Sequence, residues 1–147
     1  MKKVHSFRSR QFRLQGAEDE ATNPGRFGKS LAEWLSVELG SAGYATEVIA
    51  EDWGWCVMCE RGDYQLWVGC GNVVTEAILA SSIDQPPCED DIIWQVFAEI
   101  EVPFYMIRSS VRRWLGWLDT ATPLAKLEAD LERILRANPG IEFCDAP

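Results

Sequence analysis

The chain has 147 residues, of which 47% are hydrophobic and 25% charged, and this size and composition are typical of one globular domain. Its 14 Lys and Arg residues face 23 Asp and Glu residues, which gives a net charge of −9. Nucleic acid and anionic membranes require a basic surface, so neither is an expected partner. We expect a single domain over residues 1–147, with flexible ends at residues 1–6 and 144–147.

The beginning of the chain gives an expectation about location. Residues 1–6 carry charge without an apolar segment behind them, so no secretory signal is predicted and a cytoplasmic location is expected. No apolar run reaches the roughly 18 residues of a membrane span. The five cysteines are scattered and odd in number, and a chain of this length does not need disulfides for stability.

The first predicted elements are a strand and a helix. Residues 4–15 predict a strand whose basic side chains would protect a sheet edge. Asn23 is the predicted N-cap of the helix, Pro24 suits its first position and Gly43 is typical of its end. Between them, apolar residues at spacings of three and four predict one buried stripe, which consists of Phe27, Leu31, Trp34, Leu35 and Leu39.

The central prediction is a hairpin. Residues 44–50 form the preceding strand, and two β-prone runs then flank Arg61-Gly62-Asp63, a polar break with glycine that is typical of a hairpin turn. Alternation predicts one shared face on each arm. These faces consist of Trp53, Trp55, Val57 and Cys59 on the first arm, and Tyr64, Leu66, Val68 and Cys70 on the second.

The second half of the chain predicts two further strands and one long helix. In chain order the segments are 73–80 (short helix or loose insertion), 81–91 (loop), 92–102 (strand), 108–118 (helical turn or ordered loop), 122–137 (helix beginning at Thr122-Pro123) and 141–143 (edge strand). The strands carry one nearly apolar face and one mixed face, which is typical of a sheet covered on one side. We therefore predict the α+β class, as a two-layer sandwich with a mainly antiparallel sheet of four to six strands and two main helices on one face.

Several short motifs occur together along the chain. They are Pro24-Gly25-Arg26, Glu51-Asp52-Trp53-Gly54-Trp55, Gly69-Cys70-Gly71-Asn72 and Asn138-Pro139-Gly140-Ile141. As a set they resemble a group of small uncharacterised bacterial proteins with a Glu-Asp-Trp-Gly-Trp signature, over most of the chain except residues 73–91. The resemblance implies a bacterial single-domain protein. That group has no established activity, so the resemblance implies no catalytic residues.

The usual signatures of catalysis, metal binding and cofactor binding are weak or missing. Cys56 and Cys59 form a C-x-x-C, but residues three apart on a strand point to opposite faces, so buried free thiols are favoured over zinc held by Cys56, Cys59, Cys70 and Cys88. His5 is the only histidine, which excludes multi-histidine metal sites. No phosphate loop or dinucleotide fingerprint occurs. We predict no catalytic residue, no metal and no cofactor.

A protein-binding surface is the remaining prediction. Tryptophan beside charge is typical of interface hot spots, and Glu99 and Glu101 share a strand face that would meet water or a cationic partner. For Arg112 and Arg113, packing of their stems over neighbouring indole rings is an equally good interpretation. The predicted partner-binding residues are Glu51, Asp52, Trp53, Trp67, Glu99, Glu101, Arg112, Arg113, Trp114 and Trp117.

Three functions fit these observations. The first is a non-enzymatic acidic domain, monomer or homodimer, that neutralises a basic protein partner in the manner of an immunity protein. The second is an acidic secretion chaperone that works as a dimer and exposes an apolar patch on the sheet or the last helix. The third is a small enzyme with a cleft between Glu51 and Asp52 on one side and Arg112 and Arg113 on the other.

Overall fold

The computed structural model describes residues 2–81, 85–102 and 118–146. It contains one sheet in the order β2-β3-β4-β5-β1-β6, in which all neighbouring strands are antiparallel. The strands are β1 (Val4–Arg8), β2 (Glu47–Glu51), β3 (Gly54–Arg61), β4 (Gln65–Asn72), β5 (Trp94–Glu101) and β6 (Glu142–Phe143). The α-helices among the described residues are α1 (Lys29–Ser41), α2 (Glu76–Leu79) and α3 (Ala121–Ala137), and two short 3-10 helices span Glu18–Glu20 and Glu89–Asp91. The predicted α+β class with an antiparallel sheet is confirmed.

One face of the sheet and the two long helices share a single core. Leucines four residues apart form the buried stripe of each helix, because this spacing places them on one side of a helix. The cluster includes Leu31, Leu35 and Leu39 of α1, Leu127, Leu131 and Leu135 of α3, and Trp55, Val57, Leu66, Val68, Trp94 and Val96 of the sheet. This shared core is compatible with two layers, which stay a prediction. No helix in the described ranges is long and apolar enough to cross a membrane.

The predicted start of α1 is wrong by several residues. The helix begins at Lys29, and the segment from Asn23 to Gly28 forms a turn in which Gly25 and Gly28 have φ angles of +79° and +135°. The carboxylate of Glu18 accepts hydrogen bonds from the backbone N–H groups of Gly28 (2.8 Å) and Lys29 (3.1 Å). A distant carboxylate therefore satisfies the first donors of the helix, in place of the local cap that the sequence predicts.

Glu18→Gln should lower the free energy of unfolding by about 2 kcal/mol, because it removes a buried charge-assisted acceptor. The same carboxylate also accepts from the Gln15 N–H at 2.7 Å, and the Glu18 side chain is buried. An amide in its place keeps only one acceptor oxygen, so its NH₂ group would face at least one of these N–H groups, donor against donor. Urea unfolding measures the loss, with Glu20→Gln as the control, since Glu20 lies in the same short turn but is exposed. Equal effects of the two substitutions would contradict this role of Glu18.

Both long helices end near their predicted positions. Gly43 follows α1 with a φ angle of +108°, and the Tyr44 N–H donates to the Leu39 carbonyl at 3.1 Å. This is the pattern of a helix that ends with a glycine of positive φ.

The last helix ends at Ala137, directly before the predicted Asn138-Pro139-Gly140 stop. It begins at Ala121 with Thr120 at the N-cap position, two residues before the predicted cap Thr122 and first position Pro123. The carboxylate of Asp119 accepts from the backbone N–H groups of Ala121 and Thr122. The pKa of Asp119 is lowered chiefly by a hydrogen bond from the Thr122 side chain and then by these backbone hydrogen bonds.

The amino-terminal segment contributes a strand to the sheet, whereas the expected flexibility of residues 1–6 and 144–147 stays a prediction. Val4 begins β1, and His5 is buried against the core face, opposite Val96 of β5. Strand β1 lies between β5 and β6, so the predicted position of this strand at a sheet edge is wrong. Lys2 and Lys3 lie on opposite faces of the sheet, and each forms an ion pair with a glutamate. The single histidine is therefore part of the packed fold.

The burial of His5 makes stability depend on pH. Its pKa is lowered from 6.5, chiefly by burial and then by Lys3 and Arg136, against the opposing effects of Glu132 and Glu128. The unfolded chain binds the proton more readily, so this stability is complete above pH 6.5 and is lost as the pH falls through the lowered pKa. Urea unfolding at about pH 7.5 and about pH 5.5 should show a smaller loss in His5→Leu than in the original chain. Equal losses would contradict the assignment.

Candidate functional site

The sheet face that the two long described helices, α1 and α3, do not cover carries three clustered aromatic rings, and we call it the open face with respect to those two helices. Trp67 of β4 and Phe97 of β5 point to this face because their strand neighbours are buried in the core. Trp53, from the turn between β2 and β3, lies against both. The ring centroids are 5.5 Å apart for Trp53 and Trp67, 5.8 Å for Trp53 and Phe97, and 5.7 Å for Trp67 and Phe97. All three rings are partly exposed, and we call them the aromatic platform.

The predicted face of Trp53 is wrong. Alternation predicted that it shares a face with Trp55, whereas Trp55 lies in the core and Trp53 lies on the open face. Glu51 pairs with Gly54, so Trp53 belongs to a two-residue turn and not to the strand. Gly54 has a φ angle of +152°, which permits the turn and turns Trp53 back over β4. The period-two rule therefore does not apply to Trp53.

Gly69 lies beneath the Phe97 ring of the platform. It pairs with Phe97 across β4 and β5, and a Cβ atom at this position would overlap the Phe97 ring. The ring therefore lies directly on the backbone of β4. Close approach of a ring to the main chain is a common reason for glycine inside a strand. The absence of a Cβ atom at Gly69 thus allows the Phe97 ring, and with it the platform, to lie close to the sheet.

Glutamates surround the platform. Glu47, Met58, Trp67 and Glu99 occupy one row across the sheet. Glu51 and Glu101 lie on the same face by alternation along β2 and β5. Two of these acids have cationic partners within the chain, since Glu47 pairs with Arg61 at 2.9 Å and Glu99 pairs with Lys2. Glu51 and Glu101 are exposed. The open face therefore combines an apolar centre with an acidic rim.

The structure brings together five of the predicted partner-binding residues, namely Glu51, Trp53, Trp67, Glu99 and Glu101. Asp52 is exposed in the turn beside them, and its carbonyl accepts from the Asn23 side-chain amide at 2.8 Å. The predictions for Arg112, Arg113, Trp114 and Trp117 fall outside the described residues. The sequence did not single out Phe97, Glu47 or Lys2, although alternation along their strands identified the face of the first two.

Three of the five cysteines are buried free thiols, whereas Cys88 is exposed and Cys144 is partly exposed. Cys56 lies on the open face, whereas Cys59 and Cys70 lie in the core, so the C-x-x-C pair points to opposite sides of the sheet. Burial raises the pKa of Cys56 and of Cys59 to about 12, and it raises the pKa of Cys70 as well. Thiols with such values stay protonated near neutral pH and are poor nucleophiles and ligands. The described part of the chain contains no cluster of three or more His, Cys, Asp and Glu side chains suited to a metal ion.

A groove on the helix side has a volume of about 530 Å³. The described residues that line it include Phe12 and Trp34, together with Ile134 and Pro139 near the carboxyl-terminal end of α3. Glu38 is the one carboxylate among those lining residues, whereas acid–base hydrolysis needs two facing carboxylates. Glu51 and Asp52, which the enzyme alternative uses, are exposed on the other side. The cleft of that alternative also requires Arg112 and Arg113, which lie outside the described residues, so the alternative stays a prediction.

Comparisons with protein-family models, curated proteins and solved structures found no match to this chain. The resemblance to small bacterial proteins with the Glu-Asp-Trp-Gly-Trp signature therefore stays an expectation. In this structure the signature residues form the β2–β3 turn, where they close the hairpin and contribute Trp53 to the platform. Any statement about function depends on the site alone.

Proposed function

We propose that the chain is a non-enzymatic protein-binding domain that binds and neutralises a basic protein, in the manner of an immunity protein. The observation that supports this proposal is the aromatic platform with its rim of four glutamates on the open face. The surface residue Val4, which is 45% exposed, extends the apolar area beside Phe97.

The composition of this surface resembles that of protein interfaces. Tryptophan at the centre of a contact contributes far more than its neighbours, and a polar rim excludes water around it. Rim charges contribute mainly to the rate of association and to the choice of partner. A net charge of −9 adds long-range attraction for a basic partner. Affinity should therefore depend on both the rings and the salt concentration.

The chaperone alternative also uses an apolar surface, which it predicts on the sheet or on the last helix. The exposed large hydrophobic residues of the described chain are Val4, Val37, Leu79 and Phe143, none of which lies on α3. The aromatic platform fits the apolar patch that the chaperone alternative predicts on the sheet, but the acidic rim of the platform favours a cationic partner. An exported client held by apolar contacts would bind independently of salt.

A pull-down from the host lysate tests the proposal. Tagged chain is used at about 50 mM and about 500 mM NaCl, because screening at the higher salt weakens contacts between exposed charges. We expect one basic protein in stoichiometric amount at low salt and a large loss at high salt. The captured protein is then purified, and its complex with the chain is rebuilt from the two pure components.

Trp67→Ala serves as the platform variant in the same experiment. Truncation of a central tryptophan should reduce capture of the basic partner by about 30-fold or more. The control is Val37→Ala, because Val37 is 67% exposed on α1, on the opposite side of the sheet. A client that is retained at high salt would support the chaperone alternative. No stoichiometric partner, or a partner bound equally by Trp67→Ala, would contradict the proposal.

A further inference from the structure

A cation already lies on the aromatic platform. The Lys2 ammonium group is 4.4 Å from the centroid of the Phe97 ring. It also forms an ion pair with Glu99, which lies on β5 like Phe97. The Lys2 side chain is 45% exposed, so solvent reaches the contact. Lysine over an aromatic face with a carboxylate beside it is a recurrent way to bind an ammonium group.

We propose that Lys2 is an internal ligand, which occupies a lysine-binding position that a lysine side chain of the partner takes over. This inference depends on the proposed function, because it names the partner group that the same surface binds. Phe97 supplies the ring face, and Glu99 supplies the charge. The partner lysine would form the same two contacts after Lys2 has left.

The exchange is feasible because the internal contacts are exposed. An exposed ion pair and an exposed cation–π contact each contribute little to stability. Lys2 can therefore leave without unfolding β1, which begins two residues later at Val4. A molecule in which Lys2 occupies the platform cannot accept a partner lysine. The apparent affinity for the partner lysine is therefore the intrinsic affinity multiplied by the fraction of molecules in which Lys2 has left.

The adjacent lysine provides a matched control. Lys3 points to the opposite side of the sheet, where its ammonium group pairs with Glu132 of α3 at 2.9 Å. Lys2→Gln and Lys3→Gln change the net charge equally, and both remove one exposed ion pair. They differ in whether the platform loses its internal cation. Any difference between them therefore reports on Lys2 at the platform and not on total charge.

The test is a titration of the full chain with a tetralysine peptide blocked at both ends. Binding is followed by ¹⁹F NMR of fluorotryptophan-labelled protein at low salt, with the Trp53 and Trp67 signals assigned from single Trp→Phe variants. We expect Lys2→Gln to bind the peptide about three- to tenfold more tightly than the original chain, and Lys3→Gln to differ by less than about twofold. The resonances of Trp53 and Trp67 should shift in the titration.

The other possible results contradict either the exchange by Lys2 alone or both this exchange and the proposed function. Equal affinities of the original chain and Lys2→Gln, with the peptide bound at the platform, would overturn the exchange by Lys2 and leave the proposed function standing. The same gain in Lys2→Gln and Lys3→Gln would show a general charge effect and would also overturn it. No shift of Trp53 and Trp67 in any of the three proteins would overturn both this inference and the proposed function.

Discussion

Gly54→Ala is expected to lower the free energy of unfolding by about 3 kcal/mol, since it combines backbone strain with a steric overlap. Gly54 has a φ angle of +152°, and an added Cβ atom would lie 2.7 Å from the carbonyl oxygen of Cys70. That oxygen belongs to the backbone of β4, so it cannot move aside without opening the central hairpin. Urea unfolding followed by circular dichroism measures the loss.

Gly62→Ala is the matched control for this substitution. Gly62 lies in the turn at the other end of β3, has no positive φ angle, and has open space around its Cα atom. Its replacement should change the free energy of unfolding by less than about 0.5 kcal/mol. If Gly54→Ala were as mild as Gly62→Ala, the close approach of the two strands at Gly54 would be refuted.

Gly69→Ala should disrupt the platform and weaken partner binding by about tenfold or more, because it displaces a ring at the centre of the surface. The added methyl group would overlap the Phe97 ring, which also contacts Trp53 and Trp67. Tryptophan fluorescence of the folded variant should change as the rings separate. Affinity for the basic partner is measured by isothermal titration calorimetry.

Gly71→Ala is the control, since it is two residues away on the same face of the same strand. A Cβ atom at Gly71 would meet only the Trp53 carbonyl oxygen, at an ordinary contact distance of 3.6 Å. This variant should keep the fluorescence and the affinity of the original chain. Equal loss of affinity in both variants would contradict a specific role for the ring of Phe97, and unchanged affinity in Gly69→Ala would contradict the platform as the binding surface.

Local signals in the sequence predicted much of the fold. The Arg61-Gly62-Asp63 break correctly located the central hairpin, and the leucine spacing located the buried stripes of both long helices. The glycine stop at Gly43 was also correct. These features depend on residues close together in the chain, which is why periodicity and turn chemistry were sufficient.

The errors come from contacts between distant segments. Nothing near Lys29 indicates that Glu18 caps α1 from ten residues away or more. A β-bulge also interrupts β3, because Met58 pairs with Trp67 but Glu60 pairs with Leu66, which leaves Cys59 as an extra residue. Strict alternation cannot anticipate such a shift.

The candidate site was predicted in part for the same reason. Alternation placed Glu99 and Glu101 on one face correctly, since both lie inside the regular strand β5. The position of Trp53 depends on a tight turn, and the ion pair of Lys2 depends on β1 lying next to β5. The sheet order brings the first and fifth strands together, and the order of strands is not a local property of the sequence.

The affinity of the captured basic protein for two matched charge variants tests the central claim most directly. Glu51→Gln with Glu101→Gln removes two acids from the rim of the open face. Glu33→Gln with Glu38→Gln makes the same change in net charge on α1, across the sheet. We predict that only the rim variant loses affinity at low salt, by about tenfold. Equal losses in the two variants, or a larger loss in the α1 variant, would contradict the open face as the binding surface.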